Sequence, residues 1–316
     1  MPCYHECANN FAVCRIEPVP KRRARRSSLL ACTAPMSRGE GDARMTSVYD
    51  LETPVVMIDL DVLESNLRRM AQLAKRAGVK LRPHTKTHKS VWLAREQLRY
   101  GASGITVAKL GEAEVMAAAG IDDILVAYPI VGKAKLDSLA RLLERADVTV
   151  SVDDPEVARP LSELGVRLGR PIPLYVDVNT GLNRCGKEPG EETADLVRRL
   201  ADLPGIRVKG LMTHAGHAYS RKSPDEVFPV ARDEADALVR TKQILEQRDG
   251  IQIGEISVGS TPTSKFVGEL AGVTEMRPGA YIFGDAVQWD MGIIDESQCA
   301  MSVLATVVSC PRPGTA

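Results

Sequence analysis

"VVMIDLDVLESNLRRMAQLAKRAGVKLRPHT", residues 55–85, passes from a strand pattern to a helix pattern and back within thirty-one residues. "VVMIDL" is β-branched and apolar, as strands are. Asp61 is placed to cap a helix, and Leu63, Leu67, Met70 and Ala74 then recur at three- and four-residue spacing, which puts them on one helical face. Gly78 closes the helix, because a left-handed residue after the last turn costs glycine least. "VKLRPHT" begins a second strand.

Working outward, the same alternation continues. The β-rich runs are "VKLRPHT", "GITVA", "DILVAY", "DVTVSV", "PIPLYVDV", "IRVKGLMTH", "GEISVGS" and "EMRPGAYIFG". Between them lie "SVWLAREQLRY", "KLGEAEVMAAAG", "KLDSLARLLERA", "PEVARPLSELGVRL", "EETADLVRRLADL" and "EADALVRTKQILEQ", all with helical periodicity. Eight strands separated by helices predict a parallel sheet covered on both faces. Closed on itself it is an α/β fold of the (β/α)8 TIM-barrel type; an open doubly wound sheet is the structural alternative.

The flanks differ from this middle. Residues 1–46 lack a strand or helix period and include "PKRRARRSSLL"; they read as a disordered or targeting extension, or as sequence ahead of a true start at Met36 or Met45. The barrel is expected over residues 47–298. Residues 299–316, with "AMSVLATVVSCP" nearby, have strand composition without a following helix, which predicts the beginning of a truncated β-rich domain or strands that pair onto something already present.

Composition excludes some classes. Lys plus Arg and Asp plus Glu are 41 each, so no global field favours nucleic acid or an anionic membrane. No apolar run is long enough to span a bilayer. Four of the seven cysteines (Cys3, Cys7, Cys14 and Cys32) crowd the N-terminal extension and the other three are isolated, which predicts a reducing, cytoplasmic setting rather than a disulfide framework. "CYHEC", residues 3–7, has irregular spacing for a metal site.

The polar residues collect where a barrel does chemistry, at the carboxyl ends of strands. The first barrel strand ends in "RPHTKTHK", the fifth in "DVNTGLNRCG", the sixth in "MTHAGHAY", the seventh in "SVGSTPT" and the eighth in "RPGAYIFGD". In "SVGSTPT", residues 257–263, Gly259 lets the backbone approach an anion, Ser260, Thr261 and Thr263 offer hydroxyls, and "SKFVGEL" is expected to start a helix. Strand alternation places Arg82, His84, Lys86 and His88 on one face and Lys89 on the other. A lysine desolvated beside other cations loses proton affinity and becomes a usable amine nucleophile. Such a lysine and a phosphate turn across one cavity are what pyridoxal phosphate requires. The rival is a metal-dependent hydrolase using His84, His88, His214 and His217, which lacks a His-x-His pair.

At these residues the chain resembles the D-threonine aldolase / D-serine dehydratase family, a branch of the fold-type III pyridoxal-phosphate enzymes that also include alanine racemase. The likeness runs from about Thr53 to Ser309. "RPHTKTHK" looks like the family's R-P-H-x-K motif, which implies that Lys86 is the Schiff-base lysine and His84 its neighbour. "VDVNTGLNRCG" places Arg184 to meet the cofactor, "GLMTHAGHAY" places His214 and Tyr219 near it, "SVGSTPT" supplies Gly259, Ser260 and Thr261 for its phosphate, and "EMRPGAYIFGD" puts Tyr281 and Asp285 at the barrel mouth. "VNTG" stands where "VDTG" is common in relatives.

The resemblance implies a lyase acting on small β-hydroxy-D-amino acids, by aldol cleavage or by dehydration. It also implies a divalent metal, Zn or Mn, whose ligands belong to a C-terminal segment and are absent from this chain, and a homodimer when the full C-terminal domain is present. Neither nucleic acid nor membrane is an expected partner. A non-catalytic pyridoxal-phosphate-binding barrel or truncated inactive relative, a racemase and the metal-dependent hydrolase remain as alternatives.

Overall fold

The computed structural model describes residues 29–31 and 47–312. The sequence elements at residues 3–7 and the cysteines of the extension lie outside the described residues.

The barrel strands are β3 (Lys80–Leu81), β4 (Ile105–Val107), β5 (Asp123–Val126), β6 (Asp147–Val152), β7 (Ile172–Asp177), β8 (Ile206–Met212), β9 (Glu255–Val258) and β10 (Glu275–Met276). All pair in parallel, in the order β3-β10-β9-β8-β7-β6-β5-β4. The two ends of that order meet. His84 bridges Thr106 in parallel, Ser103 N–H donates to Leu81 O at 2.8 Å, and Thr106 N–H donates to Pro83 O at 2.8 Å. The sheet therefore closes into a barrel, and the open alternative is set aside.

Burial explains why these runs are strands. Val148, Val150 and Val152 of β6, and Leu174, Tyr175 and Val176 of β7, are all buried, including residues on both sheet faces. Continuous apolar runs of that kind belong to parallel strands with helices outside and packed side chains inside. The helices are amphipathic. In α1 (Leu60–Ala77) the buried stripe contains Leu63, Leu67, Met70 and Ala74, and Gly78 ends it at φ +68°, its N–H reaching Ala74 O and Lys75 O. The cap is Asp59 rather than Asp61: its Oδ1 accepts from Asp61 N–H and Val62 N–H, both at 3.0 Å. A strand running straight into the helix makes its own last residue the cap.

The lower barrel is filled by charge. Arg82 is 3 % exposed; its Nε donates to Glu275 Oε2 at 2.7 Å, and its two terminal nitrogens reach Asp123 at 2.6 and 3.0 Å. Glu275, fully buried, also accepts from Ser257 Oγ at 2.6 Å and from Tyr175 OH at 3.2 Å.

A three-stranded antiparallel sheet completes the fold. Its centre is β2 (Val55–Asp59), flanked by β1 (Leu29–Ala31) and β11 (Met301–Leu304). Leu29 is registered with Asp59, Val303 with Val56 and Met301 with Ile58. The strand-like tail thus pairs onto an element already present. Leu29–Ala31 is a strand inside the segment expected to lack one; three residues are too few to show a period, and the pairing with β2 defines it. Among the described residues, no helix is long and apolar enough to cross a membrane.

Candidate active site

One cavity of about 590 Å³ is lined by residues from the carboxyl ends of β3, β7, β8, β9 and β10. His84, Lys86, Arg184, His214, Tyr219, Gly259, Ser260 and Thr261 all border it, as do Asp177 and Arg277.

Lys86 reaches the cavity by a route that alternation does not describe. The strand gives way to a 3-10 turn at Thr85–Thr87, capped by His84, whose Nδ1 accepts from Lys86 N–H at 3.3 Å. Thr85 Oγ1 ties the turn to Thr106 O at 3.2 Å. Past His84 the two-residue period is therefore lost. Arg82 goes to the barrel interior and Lys86 to the cavity. His88 turns back toward helix α2 (Val91–Arg99), where Ser90 N–H donates to its Nδ1 at 3.0 Å and Nε2 meets Gln97 Oε1 at 3.2 Å. Lys89, in the left-handed region at φ +52°, is held by Glu112 at 3.1 Å. The Lys86 amine has no hydrogen bond or ion pair among the described residues. Burial first, then the Arg184 and Arg277 guanidiniums, hold its pKa below the ordinary lysine value.

The anion turn stands on β9. Gly259 has φ +114°, and a Cβ there would lie 3.3 Å from Ser264 Oγ and 3.4 Å from Arg277 N, so both its conformation and its crowding call for glycine. Ser260 N–H donates to Thr263 Oγ1 at 3.0 Å and Thr261 Oγ1 accepts from Gly279 N–H at 3.2 Å. The expected helix begins earlier than "SKFVGEL": a single turn, α8, covers Thr261–Ser264, and a 3-10 turn follows at Val267–Glu269. Pro262, in its first turn, fits that early start.

Two histidines face this space in complementary forms. His214 Nδ1 lies 3.2 Å from Gly259 O; a carbonyl only accepts, so Nδ1 carries the proton and Nε2 is left as an acceptor. His84 Nδ1 is an acceptor, so its neutral ring carries the proton on Nε2. Burial, ahead of the neighbouring cations, pushes His84 well below its ordinary value and brings His214 down to about 4, so both rings are neutral near pH 7.

The loop after β7 is held by Asn179, whose Oδ1 accepts from Gly181 N–H at 3.2 Å and Asn183 N–H at 3.0 Å. Its Nδ2 donates to Asn183 Oδ1 at 2.8 Å and Glu188 Oε1 at 2.7 Å. The "VNTG" departure thus has a local use: an aspartate could not donate either bond and would face Glu188 with like charge.

Tyr281 and Asp285 stand outside the cavity. β10 ends at Met276, and the chain passes into a 3-10 turn at Ala280–Ile282, which sends the buried Tyr281 hydroxyl to Gln97 Nε2 at 3.2 Å. Asp285 caps α9 (Ala286–Asp290), accepting from Gln288 N–H at 2.8 Å. Conversely, Arg277 and Asp177 enter the site unannounced by any motif role. Arg277 is buried and donates to Ser257 Oγ and Thr213 O. Asp177, its pKa raised by burial, accepts from Cys185 Sγ at 3.1 Å.

Fold and cavity define a class: a (β/α)8 barrel whose charged and hydroxyl groups converge at the carboxyl ends of its strands, where barrel enzymes act. The chain belongs to the family described as alanine racemase, N-terminal domain, whose model matches residues 58–287. It is 37 % identical over 263 residues to the D-threo-3-hydroxyaspartate dehydratase of Delftia sp. (strain HT23), covering 83 % of this chain and 69 % of that one. It is 34 % identical over 288 residues to the D-threonine aldolase of Arthrobacter sp, covering 90 % and 74 %. The crystal structure of D-threonine aldolase from Filomicrobium marinum superposes with a TM-score of 0.77 at 36 % identity, covering 81 % of this chain and 69 % of that chain.

Proposed function

We propose that this chain is a pyridoxal 5′-phosphate-dependent lyase acting on β-hydroxy-D-amino acids, of the D-threonine aldolase or D-serine dehydratase type. The observation that carries the reading is the Lys86 amine, unpaired among the described residues, and the Gly259–Thr261 turn on the wall of one cavity. The substrate class follows from the relatives' names, since threonine and 3-hydroxyaspartate both carry a hydroxyl on the β-carbon.

The donor set fits the cofactor. Lys86 would hold its aldehyde carbon, Gly259, Ser260 and Thr261 its phosphate, and His84, Arg184, His214 and Tyr219 would flank its ring. When bound, the cofactor supplies an electron sink for charge developing at the substrate α-carbon. The lowered proton affinity of Lys86 gives it a larger neutral fraction than an ordinary lysine, so it can accept the Cα proton that dehydration removes. Neutral His84 offers an Nε2–H donor and neutral His214 an Nε2 acceptor, the latter suited to hold a proton taken from a β-hydroxyl in aldol cleavage. Arg184 and Arg277 favour the substrate carboxylate. Among the described residues, no three His, Cys, Asp or Glu side chains are grouped to hold a metal ion.

The test is direct. Purified protein given pyridoxal 5′-phosphate should develop a visible absorption band that Lys86→Ala abolishes and Lys89→Ala retains, because Lys89 is engaged by Glu112. With D-threonine, equal amounts of glycine and acetaldehyde indicate the aldolase; with D-serine, pyruvate and ammonia indicate the dehydratase. A Lys86→Ala variant that keeps the band overturns the anchor.

A further inference from the structure

Behind the anion turn, away from the cavity, lies a carboxyl that the reaction does not use. Glu234 belongs to α7 (Pro224–Arg248) and is fully buried. Its Oε2 accepts from Gly259 N–H at 3.3 Å, the same glycine that lines the cavity. Among the described residues its buried Oε1 has no hydrogen-bond partner. Most buried carboxyl oxygens are satisfied, and one that is not calls for an explanation.

We infer that Glu234 is a positioning residue that couples phosphate binding at the Gly259–Thr261 turn to the uptake of one proton. The inference rests on the cofactor reading above and deepens it.

The physical case is electrostatic. One peptide unit separates the Glu234 carboxyl from the wall against which a phosphate would rest. Two negative groups on opposite sides of a thin, water-poor wall repel, so an arriving dianion favours the protonated carboxyl. The protonated form also suits Oε1, which then carries a hydroxyl rather than an unpaired charge. Burial pushes the Glu234 pKa up to about 7, so the proton is lost or gained close to neutrality. Arg277 beyond β10 faces the carboxyl and favours the charged form; the Thr263 hydroxyl of α8 and the Gly259 and Ala215 N–H groups act in the same direction. His214, beyond β8, touches the same turn through Gly259 O and is neutral in this range.

The sign is fixed by linkage. A ligand that raises the pKa of a carboxyl binds best when that carboxyl is protonated, and its affinity falls as pH rises through the free-state value. Comparing pyridoxal 5′-phosphate with pyridoxal, counted as its open aldehyde because its 5′-hydroxyl otherwise closes a hemiacetal that the phosphate ester cannot form, isolates the phosphate. The ratio of their affinities, from absorbance titrations between pH 6.5 and 9, should fall roughly tenfold in the native chain for each unit by which the phosphate raises the carboxyl's pKa. In Glu234→Gln, which is neutral at every pH, the ratio should stay flat. Calorimetry in two buffers of different ionisation enthalpy at pH 7.5 gives a readout that needs no variant: the phosphate form should take up more protons than pyridoxal does.

A flat ratio in the native chain, an unchanged slope in Glu234→Gln, or equal proton uptake for both ligands overturns the inference and leaves the cofactor reading intact. Failure of either aldehyde to bind in a Lys86-dependent way overturns both.

Discussion

Glu275→Leu removes one partner of the buried pair that fills the lower barrel. Arg82 would keep only Asp123, which is 44 % exposed, while Ser257 Oγ and Tyr175 OH would lose their acceptor. Breaking a buried pair on one side costs about 3–5 kcal/mol, because it strands the other charge. For a chain of this size that is a fall in melting temperature of roughly 10 °C. The double variant Arg82→Met/Glu275→Leu removes both charges at similar volume and should be more stable than the Glu275→Leu single. The deficit has a pH signature. Burial alone would raise the Glu275 pKa, but Arg82, Ser257 and Arg277 outweigh it and hold it below the ordinary value. A depressed carboxyl contributes stability that is fully present above its unfolded pKa, about 4.3, and lost as pH falls through the folded one. The gap between native and Glu275→Leu chains should hold from pH 7 to about 5 and narrow below about 4.3. Urea unfolding followed by circular dichroism measures both effects. A double variant as unstable as the sum of the two singles, or a gap that widens in acid, refutes the pairing argument.

Three further outcomes can be checked. Gly279→Ala places a Cβ 2.9 Å from Thr87 Oγ1 and 3.2 Å from His84 O, crowding the turn that presents Lys86; pyridoxal 5′-phosphate affinity should fall roughly tenfold, read by absorbance titration. Burial lowers His88 and His214 to about 4, so in the folded chain both stay neutral where the unfolded chain, near 6.5, is protonated. Their contribution is complete above pH 6.5 and is lost progressively toward pH 4, on the order of 1–2 kcal/mol each at pH 5, seen as a falling urea midpoint. Asp285→Ala removes the α9 cap and should cost about 1 kcal/mol while leaving cofactor affinity unchanged, because Asp285 does not border the cavity.

The barrel was legible because its signal is repeated and local. Leu63, Leu67, Met70 and Ala74 report one helical face on their own, and eight strand-like runs separated by helices constrain one another even where a single run is only two residues long, as β3 and β10 are. Lys86 and Gly259 were legible for a different reason: a cationic cluster at a strand end and a glycine followed by hydroxyls carry chemistry in their composition. Direction is what failed. Arg82, His84, Lys86 and His88 share a face only if the strand continues, and the 3-10 turn at Thr85–Thr87 rotates the last of them out of the site. Tyr281 left the cavity in the same way, at the turn that follows Gly279.

The residues that escaped the sequence reading share a physical property: each is defined by a partner distant in the chain. Arg277 sits one residue past a two-residue strand, and its partners are Ser257 and Thr213. Glu234 lies mid-helix, where a glutamate is ordinarily a solvated residue; only the approach of Gly259, 25 residues on, makes it a buried acid. No period or motif encodes such an encounter. The burial of those charges and the exposure of Lys86 to the cavity are two sides of one arrangement. Arg277 depresses the Lys86 amine from one side and draws charge onto Glu234 from the other. Changing Arg277 should therefore move both titrations, raising the proton affinity of Lys86 and of Glu234 together.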